Sequence, residues 1–302
     1  MNDFYIAGTD QASGQIVVFA PEDDDWNGPS AVKWSWAPDA SNGFDDRLRA
    51  AWGVPTDAKL RRNAVWGGMS LVVTDSLGLA AIVPYPAGDR RQWGLCVGGN
   101  PHSAELLPDG NIAVASSTGG WVRVYASSQS PSSDVYAEFA FKGAHGVHWD
   151  PRRRVLWAVG DDELVALRVE GTDAAPVLCV AHKVALPTPH GHDLQPVWGD
   201  SDRLWISTGT RVYQYVKSAN AFDSHYPGNE TISRAGVKSV GNQPSGRVVT
   251  TVPKAGGLYE WTTDTVDFHL PDSTRTRTGA AFYKARILLP DYEWDAKGGE
   301  TG

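Results

Sequence analysis

Short apolar strands in pairs, joined by tight polar turns, recur along the whole chain. Six such pairs read from the alternation: FYIAGTDQASGQIVVFAP, LVVTDSLGLAAIVPY, IAVASSTGGWVRVYA, LWAVGDDELVALRV, LWISTGTRVYQYV and VVTTVPKAGGLYEW. Every turn is rich in Gly, Asp, Ser or Thr, the residues that accept the backbone geometry of a hairpin. A further strand follows each pair: AVKWSWAP, RQWGLCV, VYAEFAFK, APVLCVAHK, a weakly defined stretch near Ala221–Tyr226, and TVDFHLP.

First strands complete the unit. They fall near Arg61–Val65 and then at His102, His145, His192, Lys238 and Lys284. The first hairpin, opening at Phe4–Gly8, has no first strand before it, and the first strand Phe282–Leu289 has no hairpin after it. Each supplies what the other lacks. A period of roughly 40–50 residues built from four short strands is that of a β-propeller. The expectation is an all-β protein, a single propeller domain over residues 1–302. Six blades are predicted, with seven as the alternative, and strands from both termini close the last blade. The insertion at residues 39–58, containing DDRLRAAWGV, is predicted to hold one or two helical turns and to lie as a loop over one face.

The first strands carry a column of basic residues. His102, His145, His192, Lys238 and Lys284 are separated by 43, 47, 46 and 46 residues, and Pro108, Pro151, Pro244 and Pro290 each follow six residues after a column member. Equivalent positions on first strands ring the central channel, so the column predicts a positively charged axial site. Arg61 or Arg62 is the expected sixth member. Like charges repel unless an anion or a metal compensates them.

Two compensations are open. His102, His145, His190 and His192 could donate nitrogens to one divalent ion (Mn, Zn or Ca), with His190 and His192 on one face as residues i and i+2 of a strand. Alternatively, Lys238 and Lys284, with Arg62 and Arg286, could bind a carboxylate opposite imidazoles that move protons. Uronate β-elimination needs that arrangement: a neutralised carboxylate, a base, and an acid for the leaving oxygen. Trp149 is a candidate sugar contact at the rim, as are Trp66 and Trp198, whereas Trp34, Trp36 and Trp93 read as packing between blades.

The net charge of −8 argues against nucleic-acid binding, and no apolar run is long enough to span a bilayer. Cys96 and Cys179 fall on outer strands of different blades and are expected as buried, unpaired thiols. No organic cofactor is expected, since no Walker loop or GxGxxG after a strand is present, and GxSxG and HExxH are absent too. Sialidase Asp-boxes and WD dipeptides are also missing.

The segments NPHSAELLPDGNIAVASS and PHGHDLQPVWGDSDRLWISTGTRVYQY resemble an uncharacterised family of mostly secreted actinobacterial propellers. That resemblance spans nearly the whole chain and implies a secreted protein, here a mature chain without its leader, with a cytoplasmic one as the alternative. The His-rich axis is more distantly similar to that of oligogalacturonate lyases and rhamnosyl-glucuronate lyases. In the former, several His and a Gln hold a divalent metal, parts that this resemblance gives to His102, His145, His190, His192 and Gln195. Those families have seven blades and lack the axial lysines.

The function these observations favour is a lyase on uronic-acid-containing glycans. His102, His145 and His192 would be catalytic, while Lys238, Lys284, Arg62, Arg286 and Trp149 bind substrate. The alternatives are a non-catalytic propeller that binds an acidic sugar or other anion, and a metal-dependent hydrolase or lactonase. The expected partner is an anionic small molecule or glycan, bound by a monomer.

Overall fold

Strand segments such as Ile112–Ser116 (IAVAS) and Val155–Val159 (VLWAV) are apolar on both faces, and every residue in them is buried. A strand reads this way when its sheet is covered on both sides. The cause is clear in the computed structural model, which describes residues 2–293. Among these residues, 24 strands, numbered β1 to β24 in chain order, form six four-stranded antiparallel sheets arranged as propeller blades. The six inner strands are β4 (Pro55–Asn63), β8 (Pro101–Leu106), β12 (Gly146–Asp150), β16 (Asp193–Val197), β20 (Ser239–Asn242) and β24 (Phe282–Ile287). Each packs on the next around the axis, and β24 packs on β4 to close the ring.

The closing blade is built from both ends of the chain, as the unmatched strands predict. Strand β24 pairs with β1 (Ile6–Asp10), which continues into β2 (Gln15–Phe19) and β3 (Val32–Trp36). Phe282 of β24 meets Phe19 of β2 at 5.9 Å, and Phe19 stacks on Trp26 at 4.2 Å. The seam is therefore apolar core.

Four details differ from the sequence expectation. The first strand of the second blade starts at Pro55, six residues before Arg61, so it absorbs the end of the predicted insertion. The remainder of that insertion holds the expected helical turn, Asp46–Ala50, but packs into the core instead of lying as a loop over one face. Phe44, Leu48 and Ala51 are buried against Trp36, Leu60 and Leu71, and the two larger side chains contribute about 1.5–3 kcal/mol each.

In the sixth blade, GLYEW is not a strand but part of a long connection between β21 (Val248–Thr251) and β22 (Thr265–His269). TVDFH is thus the third strand of that blade, and Ser273–Thr276 is the fourth. Cys96 and Cys179 are unpaired and on outer strands as expected, yet both are partly exposed because those strands face solvent.

Candidate functional site

Bulges and strand starts aim the column inward. In β8, Pro101 pairs with Ser116 and Ser103 with Ala115, which leaves His102 outside the ladder. In β24, Phe282 pairs with Asp10 and Ala285 with Gly8, so Tyr283 and Lys284 share one step of the ladder. His145, His192 and Lys238 directly precede β12, β16 and β20, and their N–H groups donate to the Val159, Ser207 and Thr251 carbonyls. Five side chains from five blades thus line one cavity of about 770 Å³: His102, His145, His192, Lys238 and Tyr283.

The group is hydrogen-bonded internally. Lys238 Nζ donates to His192 Nε2 at 2.8 Å. The Tyr283 hydroxyl lies 2.8 Å from His102 Nδ1 and 3.4 Å from His192 Nε2. Because the ammonium occupies His192 Nε2, the phenol donates to His102 Nδ1. His145 Nδ1 donates to the Gly143 carbonyl at 2.8 Å, which leaves its Nε2 as an unprotonated acceptor. The imidazoles lie close, with ring centroids 4.5 Å apart for His102–His145 and for His145–His192.

Burial, the neighbouring imidazole of His145 and the nearby lysines hold His102 and His192 well below the usual imidazole range. Burial likewise brings His145 down to about 4. Burial and then the Lys284 charge lower Lys238 to about 8, and burial pushes the Tyr283 phenol well above its ordinary value. At neutral pH the pocket floor therefore presents three neutral imidazoles, a protonated phenol and one ammonium.

Beneath the floor, ion pairs fill the axis. Arg286 places both terminal nitrogens on the Asp193 carboxylate at 2.6 Å and its Nε on Asp57 at 2.6 Å. Lys284 Nζ donates to the His102 carbonyl at 3.0 Å and lies 3.4 Å from Asp193. Lys59 sits 3.7 Å from Glu105 and 3.9 Å from Asp57, and Arg61 forks onto Glu105 at 2.6 and 2.8 Å. The His148 ring is buried 3.5 Å from Glu105. Further down, Arg61 covers the Tyr292 ring, whose hydroxyl donates to the Leu106 carbonyl, and Lys217 bridges Asp150 and Glu293. In the connected cluster of ion pairs beneath the pocket, four cations (Lys59, Arg61, Lys284, Arg286) face three carboxylates (Asp57, Glu105, Asp193). The excess is positive.

Of the residues predicted for the site, His102, His145, His192 and Lys238 come together. Lys284 and Arg286 lie in the buried layer instead, already paired, and Tyr283 takes the pocket position one residue earlier. Arg62 points away, 65% exposed at its side chain and 3.8 Å from Asp291. The register counterpart of His102 in the second blade is Thr56, bulged between Pro55 and Asp57, with its hydroxyl donating to the Pro101 carbonyl.

His190 is exposed, and its backbone is left-handed (φ 63), which breaks the alternation expected for His190 and His192. Trp66, Trp149, Trp198 and Gln195 do not line the cavity. Tyr283 and the loop tryptophan Trp261, which do, carry no repeat signal of their own.

Two of the imidazole nitrogens are already engaged within the pocket. His102 Nδ1 accepts from Tyr283 and His192 Nε2 accepts from an ammonium. No three His, Cys, Asp or Glu side chains among the described residues are placed to hold one ion. The donors and net charge suit an anion.

Fold and site together define a six-bladed β-propeller with a cationic axial pocket whose channel is filled beneath the floor. The chain belongs to the DUF6528 family of unknown function, whose model matches residues 13–294.

No curated protein matches it. Among solved structures, it is similar to a protein of unknown function from Bacteroides caccae (10% identity, 85% of each chain, TM-score 0.55). It is also similar to a chain of the mitotic checkpoint complex (11% identity, 83% of this chain and 68% of that one, TM-score 0.52). A streptogramin B lyase aligns with a TM-score of 0.48 at 10% identity, over 79% of this chain and 69% of that one. At such identities the likeness is one of fold alone.

Proposed function

We propose that the axial pocket binds the carboxylate of an anionic sugar, and that the protein is a lyase cleaving uronic-acid-containing glycans by β-elimination. One observation carries the binding step. Lys238 has no carboxylate within ion-pair reach among the described residues, and it sits above a buried layer in which cations outnumber carboxylates. A ligand carboxylate compensates both, and its own charge is neutralised, which acidifies the adjacent C–H.

In this reading each group has one task. Lys238 holds the carboxylate. His145 Nε2, kept unprotonated by the Gly143 carbonyl on the opposite nitrogen, takes the proton from the carbon next to the carboxylate. The electron pair left behind forms the new double bond as the glycosidic C–O bond breaks. Tyr283, protonated through the neutral range, donates to the departing oxygen.

The experiment is turnover on a panel of polyuronides and acidic heteroglycans, followed by the unsaturated product at about 235 nm. Tyr283→Phe is expected to lower kcat by roughly 10²–10⁴ with KM little changed, the usual scale for losing one acid–base group. Lys238→Met is expected to raise KM by roughly 10–100-fold, the worth of one charge-assisted hydrogen bond. Absence of product across the whole panel would rule out the lyase step.

One observation favours binding without turnover: at about 4, His145 is a weak base near neutral pH. On that second reading, acidic sugars bind at micromolar affinity and emerge unchanged.

Both readings share a pH dependence. Carboxylate binding needs the Lys238 ammonium, so affinity should be level below about 8 and fall above it. The bound anion raises the Lys238 value in the complex, so the fall levels off at higher pH. Calorimetric titration from about pH 6 to pH 10 reads it directly, and undiminished affinity at the alkaline end would contradict the assignment of Lys238.

A further inference from the structure

We infer that the cavity contains a second subsite, built on Trp261, that takes a neutral pyranose ring. The ligand is then an oligosaccharide with its uronate on the pocket floor, not a small free acid. This inference rests on the carboxylate reading above.

Trp261 lies on the long connection of the sixth blade, is 47% exposed, and lines the same cavity as the imidazoles. An exposed indole normally samples several rotamers. This one is held twice: Tyr259 stacks parallel to it at 5.1 Å and 4°, and its Nε1 donates to Gln11 Oε1 at 3.0 Å. Gln11 is itself buried in the first blade, where its side-chain amide donates to the Pro55 carbonyl at 3.2 Å. Three residues thus fix a large apolar plane that does little for the core. Such a plane suits the C–H face of a sugar.

Elsewhere the cavity wall carries one ion pair, Lys142 with Asp161 at 3.2 Å, and is otherwise rich in neutral hydrogen-bonding groups. Ser76, Asn100, Ser117 and Thr118 line it, whereas the floor cation Lys238 belongs to the axis. The Ser117 and Thr118 hydroxyls donate to the Asn100 and Gly99 carbonyls, which leaves their lone pairs to accept. Asn100 Oδ1 is buried with no hydrogen-bond partner, which is unfavourable unless a donor arrives. A sugar hydroxyl is such a donor. The cavity volume of about 770 Å³ also falls in the range that encloses drug-sized molecules, about 300–1,000 Å³, and exceeds one hexose ring.

The test is calorimetric titration of wild type, Trp261→Ala and Trp261→Phe. The probes are the methyl glycosides of glucuronate and galacturonate, and disaccharides joining each uronate to a neutral hexose. Wild type is expected to bind a disaccharide roughly tenfold more tightly than its monosaccharide, the scale of one well-packed aromatic contact. Trp261→Ala should erase that gain and leave monosaccharide affinity within about twofold, and Trp261→Phe should keep part of it.

Equal affinity for both probe lengths in wild type, or a disaccharide gain that survives Trp261→Ala, overturns the subsite and leaves the carboxylate reading standing. If wild type binds none of the four probes, the carboxylate reading falls and the subsite with it. The half-exposed position of Trp261 lets both variants fold, which a thermal melt verifies.

Discussion

Replacing Arg286 by methionine is expected to cost about 3–5 kcal/mol of unfolding free energy, the scale for removing one partner of a buried ion pair. The guanidinium holds Asp193 through two bonds and Asp57 through a third, and all three side chains are almost fully buried. Its loss leaves two carboxylates whose remaining paired cations are Lys284 and Lys59, at 3.4 Å and 3.9 Å. Urea unfolding of wild type and variant measures the difference. Adding Asp193→Leu to Arg286→Met should recover part of the loss, because an apolar pair strands less charge. A loss below about 1 kcal/mol for the single variant would mean that water or rearrangement compensates the layer.

Acid is expected to destabilise this fold in two stages. The buried His148 ring takes its proton only at about 4 in the folded chain, because burial outweighs the help of Glu105. An unfolded chain protonates the same ring near its ordinary 6.5, so the unfolded state gains protons first as pH falls from about 6.5 to 4. His148 alone removes about 3 kcal/mol across that window, and His145, also brought down to about 4, adds to it.

The second stage belongs to Glu105, which Arg61 and Lys59 hold at about 2 despite its burial. Its stabilisation is present above the ordinary value of 4.5 and is lost as pH falls from there toward 2. The check is the urea midpoint at about pH 7 and about pH 4.5 for wild type and His148→Gln, the variant having the shallower dependence. A wild-type midpoint that does not move between those two pH values would refute the assignment of buried neutral imidazoles.

Much of the architecture was legible because propeller blades repeat a local pattern. Polar turns between apolar strands marked five hairpins correctly, and the incomplete units at the two ends showed how the ring closes. The sixth hairpin failed because PKAGGLYEW has the turn residues and apolar spacing of a hairpin, while its Trp261 lines the cavity and its Tyr259 stacks on that indole instead.

Four of the five column residues reach the pocket for the reason the repeat implies: equivalent inner-strand positions share one orientation. The fifth slipped by one at Lys284, since Tyr283 and Lys284 share one step of the ladder and no spacing rule registers a bulge. His190 was lost to a left-handed residue that ends strand alternation. Arg62 was misplaced because the second blade's inner strand begins at Pro55. The counter-charges Asp57, Glu105 and Asp193 had no sequence signature, for their partners come from blades far apart in the chain.

The closing blade has a consequence for the order of events in synthesis. Phe282, which seals the ring against Phe19, and Tyr283, which walls the pocket, are neighbours on the same strand, and Lys284 and Arg286 of the buried layer follow on it. A nascent chain halted before β24 can assemble five blades and still have neither a closed circle nor a finished site. Ligand affinity therefore reports assembly: a molecule that binds has already joined its beginning to its end.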